Sequence, residues 1–341
     1  MHIKNIRLQN FRCHEDSKYE FDPEVTFIEG ENGSGKTSVI EAVYLLLNLR
    51  SFKEISPKNI MKFKSEFLRV EAEYGGNGAG NLLYFFDETR TLKKNGQCIL
   101  EIPKYLMDWP VFCYSPDTST ILAKEQKIRR GYIDRVCFYR DKSHIFDLRF
   151  YNRMISQKNA EFQKDKPDQE YLESVNAKLV ETAVKISVRR SEAANIINKR
   201  VSELYSKFGG KDEKFSLDYV TNIEDTDMLM RETDKRKCLY GVHRDRFYSK
   251  NMSRIYDKFS SYGQKKTFEL LVLLAILLDV EELLKTDIIT LLDDFEAGLD
   301  DRRVAAFMEL FSGSRQLIVT GVKNRLFTNY QTINLQVDNA E

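Results

Sequence analysis

The segment Gly30-Glu31-Asn32-Gly33-Ser34-Gly35-Lys36-Thr37 constrains the fold of this chain more than any other, because it fits G-x-x-x-x-G-K-[ST] without exception. Its flanks tighten the constraint. Val25-Thr26-Phe27-Ile28-Glu29 reads as a short buried strand before it, and Val39, Ile40, Val43, Leu46 and Leu47 recur at helical spacing after it. In the order strand, glycine loop and helix, Gly30, Gly33 and Gly35 let successive N–H groups turn toward one anion at a helix N-terminus. The pattern assigns Lys36 to the β- and γ-phosphates of a nucleotide and the Thr37 hydroxyl to Mg²⁺, with Glu31, Asn32, Ser34 and Ser38 completing the cradle. From average residue usage, a chance match in a chain this long arises about once in a hundred.

A second constellation lies far downstream. Ile288-Ile289-Thr290-Leu291-Leu292 is an apolar strand ending in Asp293 and Asp294. Buried carboxylates are costly unless something positive meets them, and a strand bringing Asp293 to Mg²⁺ and Asp294 to an attacking water meets that need. Alone, such a run is as often a strand leading into a turn. Between the two constellations stands Ser261-Tyr262-Gly263-Gln264, a motif whose Ser261, Gly263 and Gln264 would grip the γ-phosphate bound by a second copy. Gly298-Leu299-Asp300-Asp301 and the strand Gln316-Leu317-Ile318-Val319-Thr320 follow. Asp300 is placed with the nucleotide contacts, and Thr320 reads either as a γ-phosphate contact or as a plain strand-end cap. Taken together, the motifs point to ATP and Mg²⁺ held between two copies of the chain.

With 341 residues, 42% of them hydrophobic, the chain can bury a substantial core and is expected to form two lobes. Cys13, Cys98, Cys113, Cys137 and Cys238 are odd in number and make no C-x-x-C pair, which suits free thiols in a reducing cytosol. The N-terminus reads as a strand rather than a signal peptide, and the longest apolar run, Leu270 to Leu278, is too short to span a bilayer. The expected location is the cytoplasm, with no membrane partner. Residues 121–210 hold 19 Lys and Arg against 12 Asp and Glu, a local balance of +7 in a chain of net charge +1. That excess fits a polyanion footprint and fits a solvated helical surface equally well.

The first 115 residues read as strand-rich. Turns are expected around Gly75-Gly76-Asn77-Gly78 and at the hairpin pair Asn95-Gly96. Val111-Phe112-Cys113-Tyr114 is a further apolar run, stopped by Ser115-Pro116-Asp117. From about Thr118 to Phe208 the pattern is helical. Leu172, Val175, Leu179, Ala183, Ile186, Ala193, Ile197, Val201, Leu204 and Phe208 form one apolar stripe, broken by Gly209-Gly210-Lys211-Asp212 before a strand at Phe215-Ser216-Leu217-Asp218-Tyr219. The expected division is an N-terminal ATPase part over 1–115, a helical lobe over 116–236 and a C-terminal ATPase part over 237–341.

The order of these pieces is that of an ABC-type P-loop ATPase head, an α/β fold of mixed β-sheets with helices plus a helical second lobe. The chain resembles the RecF family of bacterial recombination and repair ATPases over most of its length. The resemblance is carried by Ile6 to Arg12, the phosphate loop continued to Tyr44, Tyr114-Ser115-Pro116-Asp117 and Arg129-Arg130-Gly131-Tyr132-Ile133-Asp134. It continues at Tyr151 to Asn159, Gly241-Val242-His243-Arg244-Asp245, Gly263 to Lys266 and Leu291 to Phe295. The family usually has proline where Val242 stands, and Ser-Glu where Ala297-Gly298 stands.

This resemblance implies a weak, DNA-stimulated ATPase that forms a homodimer on ATP and clamps double-stranded, gapped or single-stranded DNA. It also implies RecR- and RecO-type mediators as partners in loading recombinase. In that picture Lys36 and Asp294 serve hydrolysis, and Thr37 and Asp293 hold the metal. The basic candidates for DNA contact are Lys124, Lys127, Arg129, Arg130, Arg135, Lys185, Arg189 and Arg190, although Arg129 and Arg130 read equally as braces between the two lobes. His243 reads as structural, since a metal site needs three or four ligands. The alternatives are an ABC-type ATPase of a DNA defence or SMC-like system and a transporter nucleotide-binding subunit. The transporter reading lacks Leu-Ser-Gly-Gly-Gln and a histidine where Thr320 stands.

Overall fold

A computed structural model describes residues 1–53, 56–76, 78–116, 121–207, 215–221, 232–251, 254–255, 261–313, 316–322 and 329–336. Asn77, Asp117, Thr118, Phe208 and the expected helix break Gly209-Gly210-Lys211-Asp212 lie outside the described residues. The chain divides into two compact units, Met1–Thr118 with Leu284–Glu341, and Ser119–Leu283. The second unit therefore takes in residues 237–283, which the sequence reading had assigned to the ATPase part.

In the first unit, β1 (His2–Phe11), β2 (His14–Glu20), β4 (Leu68–Gly75), β5 (Gly80–Phe86), β6 (Arg90–Lys94) and β7 (Gln97–Cys98) form an antiparallel sheet in the order β2-β1-β4-β5-β6-β7. β6 and β7 turn at Asn95 and Gly96, whose φ values of 52° and 79° are those of a tight hairpin that twists with its strands. The second sheet is parallel and runs β14 (Gln331–Leu335), β3 (Val25–Gly30), β13 (Gln316–Gly321), β12 (Ile289–Leu292), β8 (Val111–Tyr114). Its central strands are buried almost throughout, as continuous apolar runs in a sheet covered on both faces must be.

The helix α1 (Lys36–Asn48) is packed against both sheets. Val39, Val43, Leu46 and Leu47 belong to one core with Ile6 and Leu8 of β1 and with Ile28, Leu291 and Ile318 of the parallel sheet. A helix that is apolar nearly all round belongs in such a place. Gln316 stitches the two sheets: its side-chain oxygen accepts the Ile3 N–H at 2.8 Å, and its amide donates to the Ile3 and Asp22 carbonyls at 2.7 and 3.0 Å. α2 (Ile102–Asp108) completes the layer, with Tyr105 donating to the Leu46 carbonyl at 2.8 Å.

The second unit holds α3 (Gln126–Arg140), α4 (Ser143–Phe162), α5 (Gln169–Lys207), the short α6 (Glu232–Lys235) and α7 (Tyr262–Leu284), with an antiparallel sheet of β9 (Phe215–Val220), β10 (Arg246–Asn251) and β11 (Arg254–Ile255). The expected apolar stripe from Leu172 to Leu204 is buried along α5. α8 (Asp301–Phe311) lies in the first unit. No helix among the described residues is long and apolar enough to cross a membrane.

Candidate functional site

Register in the parallel sheet explains why the distant motifs meet. Leu292 of β12 stands opposite Tyr114 of β8 and Val319 of β13, so the next residue on each strand, Asp293, Ser115 and Thr320, falls at one level. This is the carboxyl end of the strands, where ligands bind in open α/β sheets. Thr320 donates to Asp293 Oδ1 at 2.7 Å and Ser115 to Oδ2 at 2.9 Å. Thr37, the second residue of α1, donates from across the loop at 3.0 Å to each oxygen. Three hydroxyls from three elements thus hold a carboxylate that is only 2% exposed. Thr320 is therefore an orienting group for the acidic pair: its Oγ1 also accepts the Asp294 N–H at 3.1 Å.

Asp294 adopts φ 43°, the left-handed region that a non-glycine residue enters at a cost of about 1 kcal/mol. The Thr320 hydroxyl holds its N–H there, and Asp294 lines the cleft beside the phosphate loop. That cleft, about 380 Å³, is walled by Arg12, Cys13, Asn32, Lys36, Thr37 and Asp294 among others.

Gly35, at φ +92°, lies so close to the β1–β2 turn that a Cβ would sit 2.8 Å from Cys13 Sγ and from His14 Nε2. Only glycine fits there. Lys36 is buried and folds over the loop, donating to the Gly30 and Glu31 carbonyls at 2.6 and 2.9 Å. Arg12 reaches the same wall with φ 53° and is fixed by a bidentate pair to Glu41, 2.9 Å on each arm. Glu41 is almost wholly buried and also accepts from Ser51.

Sequence reasoning did not assign Ser115, Arg12 or Cys13 to the site. The available signal for Ser115 was a polar residue immediately after an apolar strand, as at Asp293. For Arg12 and Cys13 the signal was their place in a turn directly ahead of the phosphate-loop strand.

The remaining expected contacts are not among the residues lining this cleft. Asp300 is exposed, caps α8 by accepting the Arg303 N–H at 2.9 Å, and is not among the residues lining the cleft. Ser261 and Gln264 belong to the second unit, where they form a reciprocal cap at the start of α7. The Ser261 N–H donates to Gln264 Oε1 at 2.8 Å and the Gln264 N–H to Ser261 Oγ at 3.3 Å. Ser261 remains exposed and Gly263 partly so.

Several basic candidates are consumed inside the second unit. Arg129 is buried and donates to the carbonyls of Ala123, Phe247 and Leu122. Arg130 donates to the Asp245 carbonyl at 2.7 Å, and burial lowers its pKa. Arg189 pairs with Asp141 at 2.7 Å and Asp147 at 2.5 Å. Arg190 is 2% exposed and pairs with Asp134 and Asp245 at 2.8 Å each, also donating to the Val242 carbonyl. Burial works against the Asp134 carboxylate, but Arg190 and His144 outweigh it and hold its pKa below the usual value. Arg129 and Arg190, buried and engaged in this way, cannot reach DNA phosphates from their places. Arg135 is partly buried with its guanidinium 5.9 Å from the Tyr139 ring centre. Lys124, Lys127 and Lys185 are exposed, with Lys185 paired to Glu181.

The Gly241-Val242-His243-Arg244-Asp245 motif serves the same interior network. Tyr151 OH and His243 Nδ1 are 3.1 Å apart, and burial pushes the imidazole down to about 4. Arg190→Ala is expected to destabilise the protein by about 3–5 kcal/mol, because it leaves two buried carboxylates without their cation. Urea unfolding checks this, and a loss below about 1 kcal/mol would contradict the network's structural role.

The fold and the cleft define a P-loop ATPase of the α/β, ABC-type head class, and residues 1–310 match the model of the AAA ATPase domain family, to which the chain belongs. It is similar to the DNA replication and repair protein RecF of Staphylococcus epidermidis, at 27% identity over 362 aligned positions covering 96% of each chain. Its fold matches that of the recombination mediator protein RecF bound to ATP in the RecFOR pathway, with a TM-score of 0.84 and 24% identity over 96% of this chain and 95% of that one. An Smc head domain from Pyrococcus furiosus shares the fold at a TM-score of 0.55 and 16% identity, over 98% of this chain and 93% of that one.

Proposed function

We propose that this protein is a DNA repair ATPase of the RecF type, closing as a homodimer on two ATP molecules to clamp gapped or junction DNA and assist recombinase loading. Slow, DNA-stimulated hydrolysis reopens it, and RecO- and RecR-type mediators are its partners. The observation that carries this reading is the convergence of Thr37, Ser115 and Thr320 on Asp293 beside the phosphate loop. Similarity to RecF over nearly the whole chain supports it.

The donor set at Asp293 suits Mg²⁺, which takes one or two protein oxygens and fills its other positions with phosphate oxygens and water. Thr37 and Asp293 would hold it, and when bound it supplies positive charge against the β- and γ-phosphate oxygens. Ser115 and Thr320 keep the Asp293 carboxylate aimed when Thr37 turns from it. Lys36 exchanges two loop carbonyls for phosphate oxygens, and Asp294 orients the attacking water or accepts its proton. Such chemistry is chiefly positioning and charge neutralisation, so a site finished by Ser261, Gly263 and Gln264 of a second copy works only after assembly.

Ser261→Arg is expected to leave nucleotide affinity of the monomer within about two-fold, since the motif belongs to a different unit from the loop, while blocking ATP-dependent association. The bulk of the arginine side chain and the lost cap make the change decisive at an interface. Sedimentation velocity with and without ATP and gapped duplex tests the reading. Dimers only with ATP are expected for the unmodified protein; equal dimer fractions in both conditions would refute the clamp.

A further inference from the structure

One face of α4 has a composition that helix stability does not explain. Lys142, Phe146, Arg149, Phe150 and Arg153 follow one another at steps of three and four residues, or one apart within the stripe, so they lie along a single side of the helix. All five are exposed, Phe146 at 54% and Phe150 at 42%. The opposite side does the packing: Tyr151 and Met154 join Val175, Leu179, Ala183 and Ile186 in a buried cluster.

The three cations of the stripe make no ion pair or hydrogen bond among the described residues. The acidic residues of α4 and of the turn before it are already engaged, Asp141 and Asp147 with Arg189 and Glu161 with Lys164. Lys142 stands at the N-cap of α4 with no side-chain cap, where the helix dipole disfavours a cation. Cationic and aromatic side chains alternate here without an anion between them.

That alternation matches the chemistry of an unpaired nucleic-acid strand. Phosphates meet Lys142, Arg149 and Arg153, while exposed base faces stack on the two phenyl rings; a duplex hides its base faces and offers the rings nothing. We propose that this face of α4 is a single-strand binding face, with a single-stranded DNA segment as its occupant. The proposal rests on the DNA-repair reading and deepens it, moving the contact from the buried arginines of α3 and α5 to an exposed surface.

The test uses the full chain, 5′-labelled dT30 and a blunt 30-base-pair duplex, with fluorescence anisotropy over a salt series. Phe146→Ala with Phe150→Ala is expected to weaken dT30 binding about ten-fold or more and to leave duplex binding within about two-fold. Arg149→Ala with Arg153→Ala is expected to weaken dT30 binding and to flatten the slope of log affinity against log salt by about 1.4. Phe150→Trp supplies a readout independent of affinity loss, since dT30 stacking should quench the new indole.

Binding of dT30 within two-fold of the unmodified protein in either double variant overturns the proposal, as does an unquenched Phe150→Trp at saturating dT30. An equal loss of duplex and single strand in the phenylalanine variant also overturns it, and so does a change confined to self-association or to binding of a protein partner. An unmodified protein that binds neither DNA contradicts the repair reading as well. DNA binding that these substitutions leave intact removes only the assignment of α4.

Discussion

Lys36→Met is expected to lower ATP turnover by about 10²- to 10³-fold and to abolish ATP-dependent association, because one preorganised charge at a reacting group is worth that much in a site closed to water. The ammonium is buried, 2.6 Å from the Gly30 carbonyl and 2.9 Å from the Glu31 carbonyl, so it also helps hold the phosphate loop in shape. Methionine keeps the length of the side chain while removing the charge. The expected loss is therefore in phosphate binding, with the core of α1 intact. Phosphate release measured at saturating ATP, beside thermal unfolding, separates the two effects. Turnover within ten-fold of the unmodified protein would contradict the assignment of Lys36 to the phosphates.

Asp294→Asn should behave differently. The loop, Thr37 and Asp293 are untouched, so ATP affinity is expected to stay within a few-fold. The carboxylate that would orient or deprotonate water is gone, and the rate is expected to fall about 10²- to 10⁴-fold. Asparagine also tolerates the left-handed backbone at φ 43°, so the Thr320 hydroxyl can keep holding the N–H of residue 294. Binding and hydrolysis thus separate: the variant should accumulate as an ATP-bound dimer with little product. Equilibrium binding of a fluorescent ATP analogue and single-turnover hydrolysis measure the two halves, and loss of both together would assign Asp294 to binding instead.

Local chemistry was readable in the sequence, and long-range geometry was not. The phosphate loop announced itself because three glycines, a lysine and a threonine must be contiguous to bend backbone around an anion, and the strand before it and helix after it follow from apolar spacing. Asp293 and Asp294 were visible at the end of an apolar run. Ser115 was not assigned, because its value depends on β8 lying beside β12 in parallel register, a pairing that links residues 178 positions apart in the chain.

Arg129 and Arg190 failed as DNA candidates for a related reason. A count of charges along the chain cannot tell an exposed guanidinium from one matched to Asp134 or Asp245, and those partners of Arg190 lie 56 and 55 residues away. The boundary near residue 237 was drawn from motif order. The structure joins 237–283 to the second unit, where α7 buries Leu270, Leu271, Val272, Leu273 and Leu274 in succession and so belongs to a core rather than a surface. Ser261 and Gln264 illustrate a motif with two meanings, since the same side chains that would complete a neighbour's nucleotide site also cap a helix.

The central claim is that Lys36 of one copy and Ser261 of another serve the same ATP. Mixing equal amounts of the Lys36→Met and Ser261→Arg variants, each inactive alone, tests it directly. Neither variant pairs with itself, so every dimer in the mixture is mixed and carries one intact site of two, and hydrolysis should recover well above either variant alone, to at most about half of the unmodified rate. A mixture no faster than either variant by itself, or a Ser261→Arg protein that hydrolyses ATP normally alone, would contradict it.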